Sequence, residues 1–504
     1  MASNNVDVLY VQPNGAGIIY QELSKNYSAI EPPIWAGLLA QHSRKNGFSV
    51  AILDCEAERL NPDESAKRIL DINPRLVAMV IYGQQPSAST QNMYGASVLC
   101  DKLKDSGSSS KIVLIGLHPS ASSRETMNSE KADFVCQGEG AYTVDGLLQS
   151  DMDNPIHLDK IPGLWYRDNG DIICTRPAPV VPQKELEHEL PGMAWDLLPM
   201  HLYRTANWHA MSNNNDREPF ASLYTSLGCP YQCTFCCINA PFGNNNVENG
   251  LQSKSRFRWW DVDFTMGEFQ KIHDMGIRNV KIADEMFVLR KDHFLEICKK
   301  LKEREFDFNI WAYARIDTVR PEYLDALRDA GVNWLALGIE SGNATVRKDV
   351  IKGKFTEVNI RDLVQEIRNS GINVIGNYIF GLPEDTADTM KDTLAMANDL
   401  NCEFSNFYCT MAYPGSALHI QAKKEGWDLP DSYQAYSQHS YEIKPLATKH
   451  ITAREVVEFR DNAFNSHYNR PEYHDMIRSK FGQSTVDEIK NMTKIKLKRK
   501  ILGD

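Results

Sequence analysis

Three closely spaced cysteines constrain this chain more strongly than any other feature of its sequence. Cys229, Cys233 and Cys236 stand in a C-x3-C-x2-C pattern, directly after residues 220–225, whose composition predicts a β-strand. Thiolates so close in sequence can converge on one soft metal centre, either an iron–sulfur cluster or zinc. A 4Fe-4S cube held by only three cysteines leaves one iron without a protein ligand, and a small molecule can bind there.

Zinc binding and disulfide formation are the alternative roles for these cysteines. A structural zinc site normally joins two ligand pairs at short range, but no second pair follows here and the next histidine downstream is His273. The 11 cysteines among 504 residues are too sparse for a disulfide framework. The spacing therefore favours a cluster, with zinc as the alternative. We expect the adjacent Cys237 to pack as a small buried hydrophobe.

Charge and hydropathy exclude several classes of protein. The net charge of −11 argues against a broad nucleic-acid-binding face, which needs accumulated Lys and Arg. No apolar run approaches the ~20 residues that span a bilayer, so no transmembrane segment is expected. The N-terminus lacks the charged and apolar regions of a signal peptide. We therefore expect a cytoplasmic protein, since a reducing compartment suits a thiolate-bound cluster.

Residues 1–150 alternate apolar β-rich runs with helical stretches, which is typical of a Rossmann-like, doubly wound parallel sheet. Ligands of such sheets bind beyond the carboxyl ends of the strands. The loops predicted at those ends carry glycines, which permit close backbone approach, together with polar side chains. The candidate binding residues in these loops are Gln12, Pro13, Tyr82, Gly83, Gly116, His118, Gly138, Glu139 and Gly140.

The rest of the chain divides into three further regions, which gives an α/β fold overall. Residues 151–216 form a connector with a small β-hairpin that turns at Asn169–Gly170. Residues 217–425 contain about six β/α units, counting the strand before the cysteines, and so fit a partial (β/α)6 TIM barrel better than a complete one. Residues 426–504 form a small helical domain that we expect to cap the barrel and shape substrate choice.

Polar residues also follow the predicted strands of the barrel, at the edge where barrel active sites lie. Several such residues in successive units predict a ligand at this edge. They are Asp284, Glu285, Arg315, Glu340 and Ser341.

The cysteine spacing, with Phe235 before the third cysteine, resembles the signature of the radical S-adenosylmethionine (SAM) enzymes. The resemblance implies that Asp284–Glu285 stands in place of a Gly-Gly-Glu segment that receives the SAM amino group, although both glycines are missing. It implies that Glu340 and Ser341 contact the SAM ribose and carboxylate. It also implies that the stretch from Gly376 through Gly381 to Glu384, which resembles a G-x-I-x-G-x-x-E segment, packs the adenine. Arg315 pairs either with the SAM carboxylate or with a neighbouring acid.

The loops of the N-terminal region resemble those of the cobalamin-binding domain that precedes the radical SAM domain in one large subclass. The D-x-H-x-x-G motif of enzymes that use histidine as the lower cobalt ligand is absent. The resemblance therefore implies cobalamin bound without a histidine below the cobalt. His118 is then expected to touch the macrocycle or a loop carbonyl.

These resemblances together imply a cobalamin-dependent radical SAM methyltransferase with three cofactors: a 4Fe-4S cluster, SAM and cobalamin. In such relatives, SAM on the open iron yields a 5′-deoxyadenosyl radical, and the substrate radical collects a methyl group from methylcobalamin. We expect methylation of an unactivated carbon in a small-molecule biosynthetic intermediate, with a flavodoxin- or ferredoxin-like electron donor. The alternatives are cyclisation or rearrangement without methyl transfer and, from another class, a non-enzymatic zinc-binding interaction protein. A methylthiotransferase is disfavoured because no second cysteine triad precedes Cys229.

Overall fold

Two sheets built mainly from parallel strands organise the chain. The structure is a computed structural model and describes residues 6–83, 85, 87–213, 215–242, 256–350 and 359–504. The strands there are β1 Val8–Gln12, β2 Val50–Asp54, β3 Leu76–Ile81, β4 Lys111–Gly116, β5 Phe134–Cys136, β6 Leu164–Asp168, β7 Asp171–Cys174, β8 Phe220–Leu223, β9 Ser226–Leu227, β10 Arg258–Trp259, β11 Asn279–Ile282, β12 Asn309–Arg315, β13 Val332–Glu340, β14 Asn373–Phe380 and β15 Phe404–Cys409.

Helices cover the faces of both sheets. They are α1 Ala16–Tyr20, α2 Leu23–Asn26, α3 Ile34–Lys45, α4 Pro62–Ile72, α5 Ala88–Asp105, α6 Leu117–Ala121, α7 Ser123–Ser129, α8 Ala141–Gln149, α9 Pro155–Leu158, α10 Leu186–Glu189, α11 Val262–Asp274, α12 Lys291–Glu303, α13 Leu324–Asp329, α14 Ala344–Val350, α15 Ile360–Asn369, α16 Ala387–Leu400, α17 Ala417–Glu425, α18 Ala453–Tyr468, α19 Pro471–Phe481 and α20 Gln483–Thr493. No helix among the described residues has the length and apolar character needed to cross a membrane.

The N-terminal sheet has the strand order β2-β1-β3-β4-β5-β6-β7. Strands β1 to β5 are parallel, as their apolar runs predict, and β3 is buried along its whole length. The predicted hairpin is present, but β6 pairs antiparallel with β5 and so extends this sheet beyond residue 150. The three-residue β5 would otherwise leave its backbone groups unpaired at the edge of the sheet.

Helix α4 shows how local sequence sets the bounds of an element in this domain. The Asn61 side chain accepts hydrogen bonds from the backbone N–H groups of Asp63 and Glu64, and the Glu64 carboxylate accepts one from the Asn61 N–H. This reciprocal cap satisfies donors that a helix start leaves free. The helix ends where Asn73 adopts a left-handed conformation (φ 47°). The helix therefore spans residues 62–72.

The second sheet is a six-stranded partial barrel with the order β8-β11-β12-β13-β14-β15. Each neighbouring pair is parallel and the strands follow one another in chain order, which confirms the predicted architecture. Within the described residues β8 and β15 do not pair, so the barrel stays open between them. The carboxyl ends of all six strands therefore lie on one rim, from which the polar residues of the site project.

Two buried ion pairs join the N-terminal domain to the barrel. Glu139, which follows β5, pairs with Arg258 at 2.5 Å, and each side chain is only 3% exposed. Glu31, which precedes α3, pairs with Lys281 of β11 at 2.8 Å. A buried charge that loses its partner is strongly destabilising, because nothing then replaces its hydration. These pairs therefore fix how the two domains face each other.

Residues 426–504, the cap, contact both domains and contain the predicted helices α18 to α20. Tyr433 donates a hydrogen bond to the Glu130 carboxylate (2.7 Å), and the Ser437 hydroxyl donates one to the Ile19 carbonyl (3.0 Å). Gln438 pairs with strand β15 through the backbone N–H and carbonyl of Cys409, at 2.8 and 2.9 Å. The cap therefore closes the rim of the barrel against the N-terminal domain.

Candidate active site on the rim of the partial barrel

A cavity of about 310 Å3 opens at the carboxyl ends of the barrel strands. It brings together residues from the cysteine loop, from the ends of all six barrel strands, from the N-terminal domain and from the cap. Its walls include Gln85, Ser87, Tyr224, Cys229, Tyr231, Cys233, Phe235, Cys236, Cys237, Glu285, Arg315, Glu340, Asn377, Ile379, Tyr408, Cys409, Tyr413 and Gln438.

The three predicted cluster ligands all line this cavity, with partly buried side chains. Hydrogen bonds hold their loop in place from both sides: the Thr234 N–H donates to the Val350 carbonyl (3.1 Å), and the Leu418 N–H donates to the Thr234 carbonyl (2.8 Å). Burial raises the pKa of Cys229 to about 12 and that of Cys233 to about 11. Without a metal these thiols therefore stay protonated, and a bound cationic centre would be needed to hold them as thiolates.

A cluster and a zinc ion require different arrangements of the thiols. Within the described part of the chain, no three Cys, His, Asp or Glu side chains converge closely enough to hold one metal ion. In a cube each cysteine binds a different iron, so the sulfurs surround the metal centre instead of meeting at one point. A zinc tetrahedron requires the tighter arrangement.

Asp284 does not line the cavity, although it lies only two residues after the end of β11. Its Oδ1 accepts a hydrogen bond from the Thr225 N–H (2.6 Å), and its Oδ2 accepts from the hydroxyls of Thr225 (2.6 Å) and Ser226 (2.5 Å). The side chain is buried, and burial raises its pKa. The carboxylate thus joins the end of β11 to the segment that leads into the cysteine loop.

Glu285, the next residue, faces the cavity. Its Oε2 atom is buried and has no hydrogen-bond partner among the described residues. Burial raises the pKa of Glu285 to about 8. An unpartnered buried oxygen is costly, so this position is suited to a ligand that brings an N–H or O–H donor.

Arg315 and Glu340 also line the cavity, from the ends of β12 and β13. The Arg315 guanidinium stacks on Tyr231, 3.7 Å from the ring centre, and makes two hydrogen bonds to Asp317, at 2.8 and 2.6 Å. Of the two expected partners the structure thus shows the neighbouring acid. Glu340 lies in the left-handed region (φ 66°), which is strained for a residue with a side chain. Burial raises the pKa of Glu340 to about 7.

Two further predicted residues lie behind the cavity wall. Ser341 is fully buried, and its hydroxyl lies 3.3 Å from that of Thr393. Gly381 turns the chain after β14 with φ 76°, and a Cβ there would lie 2.7 Å from Val456. Sequence analysis assigned both residues to ligand contact, but the structure gives them packing contacts. On β14 the residues that reach the cavity are Asn377 and Ile379.

The glycine loops of the N-terminal sheet have the geometry that close backbone approach requires. Gly116, Gly138 and Gly140 have φ values of 154°, 129° and 101°. A Cβ at Gly116 would lie 2.2 Å from the Ile81 carbonyl oxygen, so no other residue fits there. A strand-end edge of this kind can accept a large planar ligand.

His118, in α6, is buried near this edge. Its Nδ1 lies 3.2 Å from the Thr90 hydroxyl, and its ring meets Tyr433 of the cap edge-on at 5.2 Å. Burial lowers the pKa of His118 to about 3, so the ring is neutral. Contact with a loop carbonyl, one of its two expected partners, does not occur among its described hydrogen bonds.

A smaller cavity of about 30 Å3 lies between the N-terminal sheet and the barrel. Gln12, Tyr82 and Gly83 line it, as expected of ligand-binding residues at strand ends. The Tyr82 hydroxyl is buried without a hydrogen-bond partner among the described residues, while its ring stacks on Trp35 at 4.5 Å. Pro13 is buried and lines neither cavity. The Glu139 carboxylate pairs with Arg258 and accepts a hydrogen bond from the Val181 N–H (2.6 Å).

Sequence analysis missed several residues that the structure brings to the site. Tyr224 and Ala283 line both cavities, and Glu31 and Glu56 line the smaller one. Glu56 follows β2, so the rule that ligands bind at carboxyl strand ends was a signal that pointed to it. No local signal marks Glu31, which comes from the loop before α3.

Family models match both parts of this arrangement. The radical SAM superfamily model matches residues 223–397, and the B12 binding domain model matches residues 24–148. An uncharacterized methyltransferase of Pyrococcus horikoshii is 27% identical over 87% of this chain and 88% of its own. An anaerobic magnesium-protoporphyrin IX monomethyl ester cyclase of Rubrivivax gelatinosus is 24% identical over 82% of this chain and 69% of its own.

Solved structures share the fold. The radical SAM methyltransferase TsrM from Kitasatospora setae, with cobalamin and a 4Fe-4S cluster bound, superposes with a TM-score of 0.62 at 16% identity and covers 83% of this chain and 78% of its own. The cobalamin-dependent SAM radical enzyme OxsB, with aqua-cobalamin bound, gives a TM-score of 0.67 at 17% identity over 98% and 73%. The chain therefore shares their combination of an N-terminal sheet and a partial barrel.

Proposed function

This chain belongs to the radical SAM enzymes that carry a B12-binding domain, and from that premise we propose that it methylates an unactivated carbon of a small-molecule biosynthetic intermediate. Its cofactors are a 4Fe-4S cluster, SAM and cobalamin. One observation carries the proposal: Tyr224 and Ala283 line both the cavity with the three thiols and the cavity at the strand ends of the B12-binding domain. A substrate at this place is within reach of both cofactor sites.

Each cofactor has residues that fit it. Cys229, Cys233 and Cys236 would hold the cluster, and the unpartnered Glu285 oxygen would accept a hydrogen bond from the SAM amino group. The glycine edge and the unpartnered Tyr82 hydroxyl would hold cobalamin. When bound, SAM and cobalamin supply the radical that removes a hydrogen atom from the substrate and the methyl group that takes its place.

The protein's own part is to orient the reactants and to exclude water. The larger cavity has mainly apolar walls, among them Phe235, Ile238, Met286 and Met411. Such walls keep solvent away from reactive carbon radicals. The cap closes the remaining side through Gln438. We further propose that the electron comes from a flavodoxin- or ferredoxin-like donor.

Product analysis tests the proposed reaction against its nearest alternative. The cyclase relative favours a second candidate, a radical cyclisation that transfers no methyl group. The anaerobically reconstituted enzyme should be given SAM that carries a deuterated methyl group. Methylation predicts that the product gains this group and that S-adenosylhomocysteine forms beside 5′-deoxyadenosine. Formation of 5′-deoxyadenosine alone, with an unlabelled product, would establish the cyclase-type reaction instead.

We predict that Glu285→Gln weakens SAM binding at pH 9, where the wild-type carboxylate is ionised, by about 10- to 100-fold, because a hydrogen bond to a charged group contributes about 1.5–3 kcal/mol. The amide keeps the size of the side chain but loses the negative charge. Titration of the reduced cluster with SAM, followed by electron paramagnetic resonance (EPR), measures the change. Iron and sulfide content serve as the control and should equal those of the wild type. Unaltered SAM affinity would remove Glu285 from the binding site.

The same carboxyl predicts how SAM binding depends on pH. Burial raises the pKa of Glu285 to about 8, so in the free enzyme the group is mostly protonated near neutrality and can accept fully only above this value. Wild-type affinity for SAM should therefore rise as the pH passes through about 8, by about 10-fold between pH 7 and 9. The Glu285→Gln variant lacks the titrating group and provides the reference curve. Parallel curves for the two proteins would refute the assignment.

A further inference from the structure

The residue before Glu285 departs from the family pattern, and the structure shows what takes the place of the missing glycine. The resemblance places glycine at this position, whereas this chain has Asp284. The Asp284 carboxylate lies outside the cavity and accepts three hydrogen bonds of 2.5–2.6 Å from Thr225 and Ser226. A buried carboxylate with several short hydrogen bonds is a strong and directional link.

The hydrogen bonds of Asp284 join the thiol loop to Glu285, and these two parts of the site must keep a fixed distance. Ser226 lies three residues before Cys229, the first of the three thiols, and Asp284 is bonded directly to Glu285. A further contact supports the same segment, since the Trp260 N–H donates to the Thr225 carbonyl at 3.1 Å. Any shift of Asp284 relative to Thr225 would therefore change the distance between the thiol loop and the Glu285 carboxylate.

We propose that Asp284 is a positioning residue that sets Glu285, and hence bound SAM, relative to the open iron of the cluster. The inference rests on the proposed function, because it takes Glu285 as the SAM-binding carboxylate. Asp284 does not touch SAM and acts only through its neighbours. Small misplacements matter here, since a displacement of about 1 Å at a reacting centre can cost about 100-fold in rate.

The test measures reductive cleavage of SAM to 5′-deoxyadenosine by the full-length enzyme with its cluster, which needs no methyl acceptor. Asp284→Ala should lower kcat by about 100-fold, with the KM for SAM changed much less. Asp284→Asn keeps the Oδ1 acceptor for the Thr225 N–H and should retain most of the activity. Electron–nuclear double resonance with 15N-labelled SAM should show altered coupling of the amino nitrogen to the cluster in the alanine variant.

A matched control separates positioning from general stability. Glu403 is also a fully buried carboxylate that accepts a backbone hydrogen bond, from Val374 at 2.8 Å, but it lies before β15 at the opposite rim of the barrel. Glu403→Ala should lower the unfolding midpoint and leave kcat and the nitrogen coupling unchanged. Removing the two hydroxyl donors, in Thr225→Val/Ser226→Ala, leaves the Thr225 N–H bond to Oδ1 and should cause part of the loss, and adding Asp284→Ala should then bring kcat to that of Asp284→Ala alone.

Three results would overturn the proposal: wild-type kcat in Asp284→Ala, a loss confined to KM, or the same spectroscopic change in Glu403→Ala. Should Asp284→Ala not fold, wild-type coupling in the Thr225→Val/Ser226→Ala variant would overturn it as well. A failure of the proposed function would give a different result. A wild-type protein that cleaves SAM but transfers no methyl group would contradict the proposed methylation and leave the role of Asp284 intact.

Discussion

The Cys233→Ala variant is expected to lose reductive SAM cleavage by about three orders of magnitude or more while still binding cobalamin. With Cys233 removed, the loop keeps only Cys229 and Cys236 as ligands, too few to hold a cube with one open iron. The cobalamin residues lie on the other domain and do not contact this thiol. The assay compares 5′-deoxyadenosine formation and iron content in variant and wild type, with bound cobalamin read from its visible spectrum.

Cys237→Ala is the matched control for this variant, because Cys237 is the neighbouring thiol and lines the same cavity. Burial raises the pKa of Cys237 to about 12, as it does for Cys229, so thiol acidity alone does not distinguish them. We expect this variant to keep its iron and to cleave SAM at a rate close to that of the wild type. If Cys237→Ala lost the cluster and Cys233→Ala kept it, the ligand assignment would be wrong.

The second large effect concerns stability: Glu139→Ala should lower the free energy of unfolding by about 3–5 kcal/mol, because the Arg258 guanidinium is left buried without its carboxylate. Chemical denaturation of the cofactor-free protein measures this change. Glu139→Gln, which keeps the hydrogen-bonding shape, should cost less.

An exposed ion pair provides the control for Glu139. Glu296 and Lys299 pair at 3.4 Å on the surface of α12, and Glu296→Ala should change the free energy of unfolding by less than about 1 kcal/mol. Sequence analysis assigned Glu139 to cobalamin instead. A Glu139→Ala protein of wild-type stability that fails to bind cobalamin would favour that first assignment over the structural one.

The strands of both sheets could be predicted because their signals are local. Strand β14 occupies residues 373–380, where an apolar run ends at Gly381. The rule that ligands meet the carboxyl strand ends also placed Glu285, Arg315 and Glu340 at the cavity. In each case a short stretch of chain contains all the information that the prediction needs.

The structure departs from the sequence-based expectations where the partners of a residue are distant in sequence. Asp284 accepts a hydrogen bond from Thr225 and therefore turns away from the cavity. Thr225 lies 59 residues earlier in the chain, so no local pattern predicts this contact. Glu139 pairs with Arg258, which lies 119 residues later in the chain, and no local pattern predicts that pairing. The pairing of the β6–β7 hairpin with β5 likewise depends on tertiary packing. Composition and spacing identify the residue types of a site, but tertiary packing decides which of them face the ligand.

The open barrel affects which parts of the chain determine substrate choice. The gap between β8 and β15 exposes the rim, and the N-terminal domain and the cap form the remaining walls. A molecule held there is recognised by three segments of the polypeptide together. Grafting the first domain of a relative onto this barrel should therefore create a new selectivity instead of transferring the donor's, because no single segment contains the whole recognition surface.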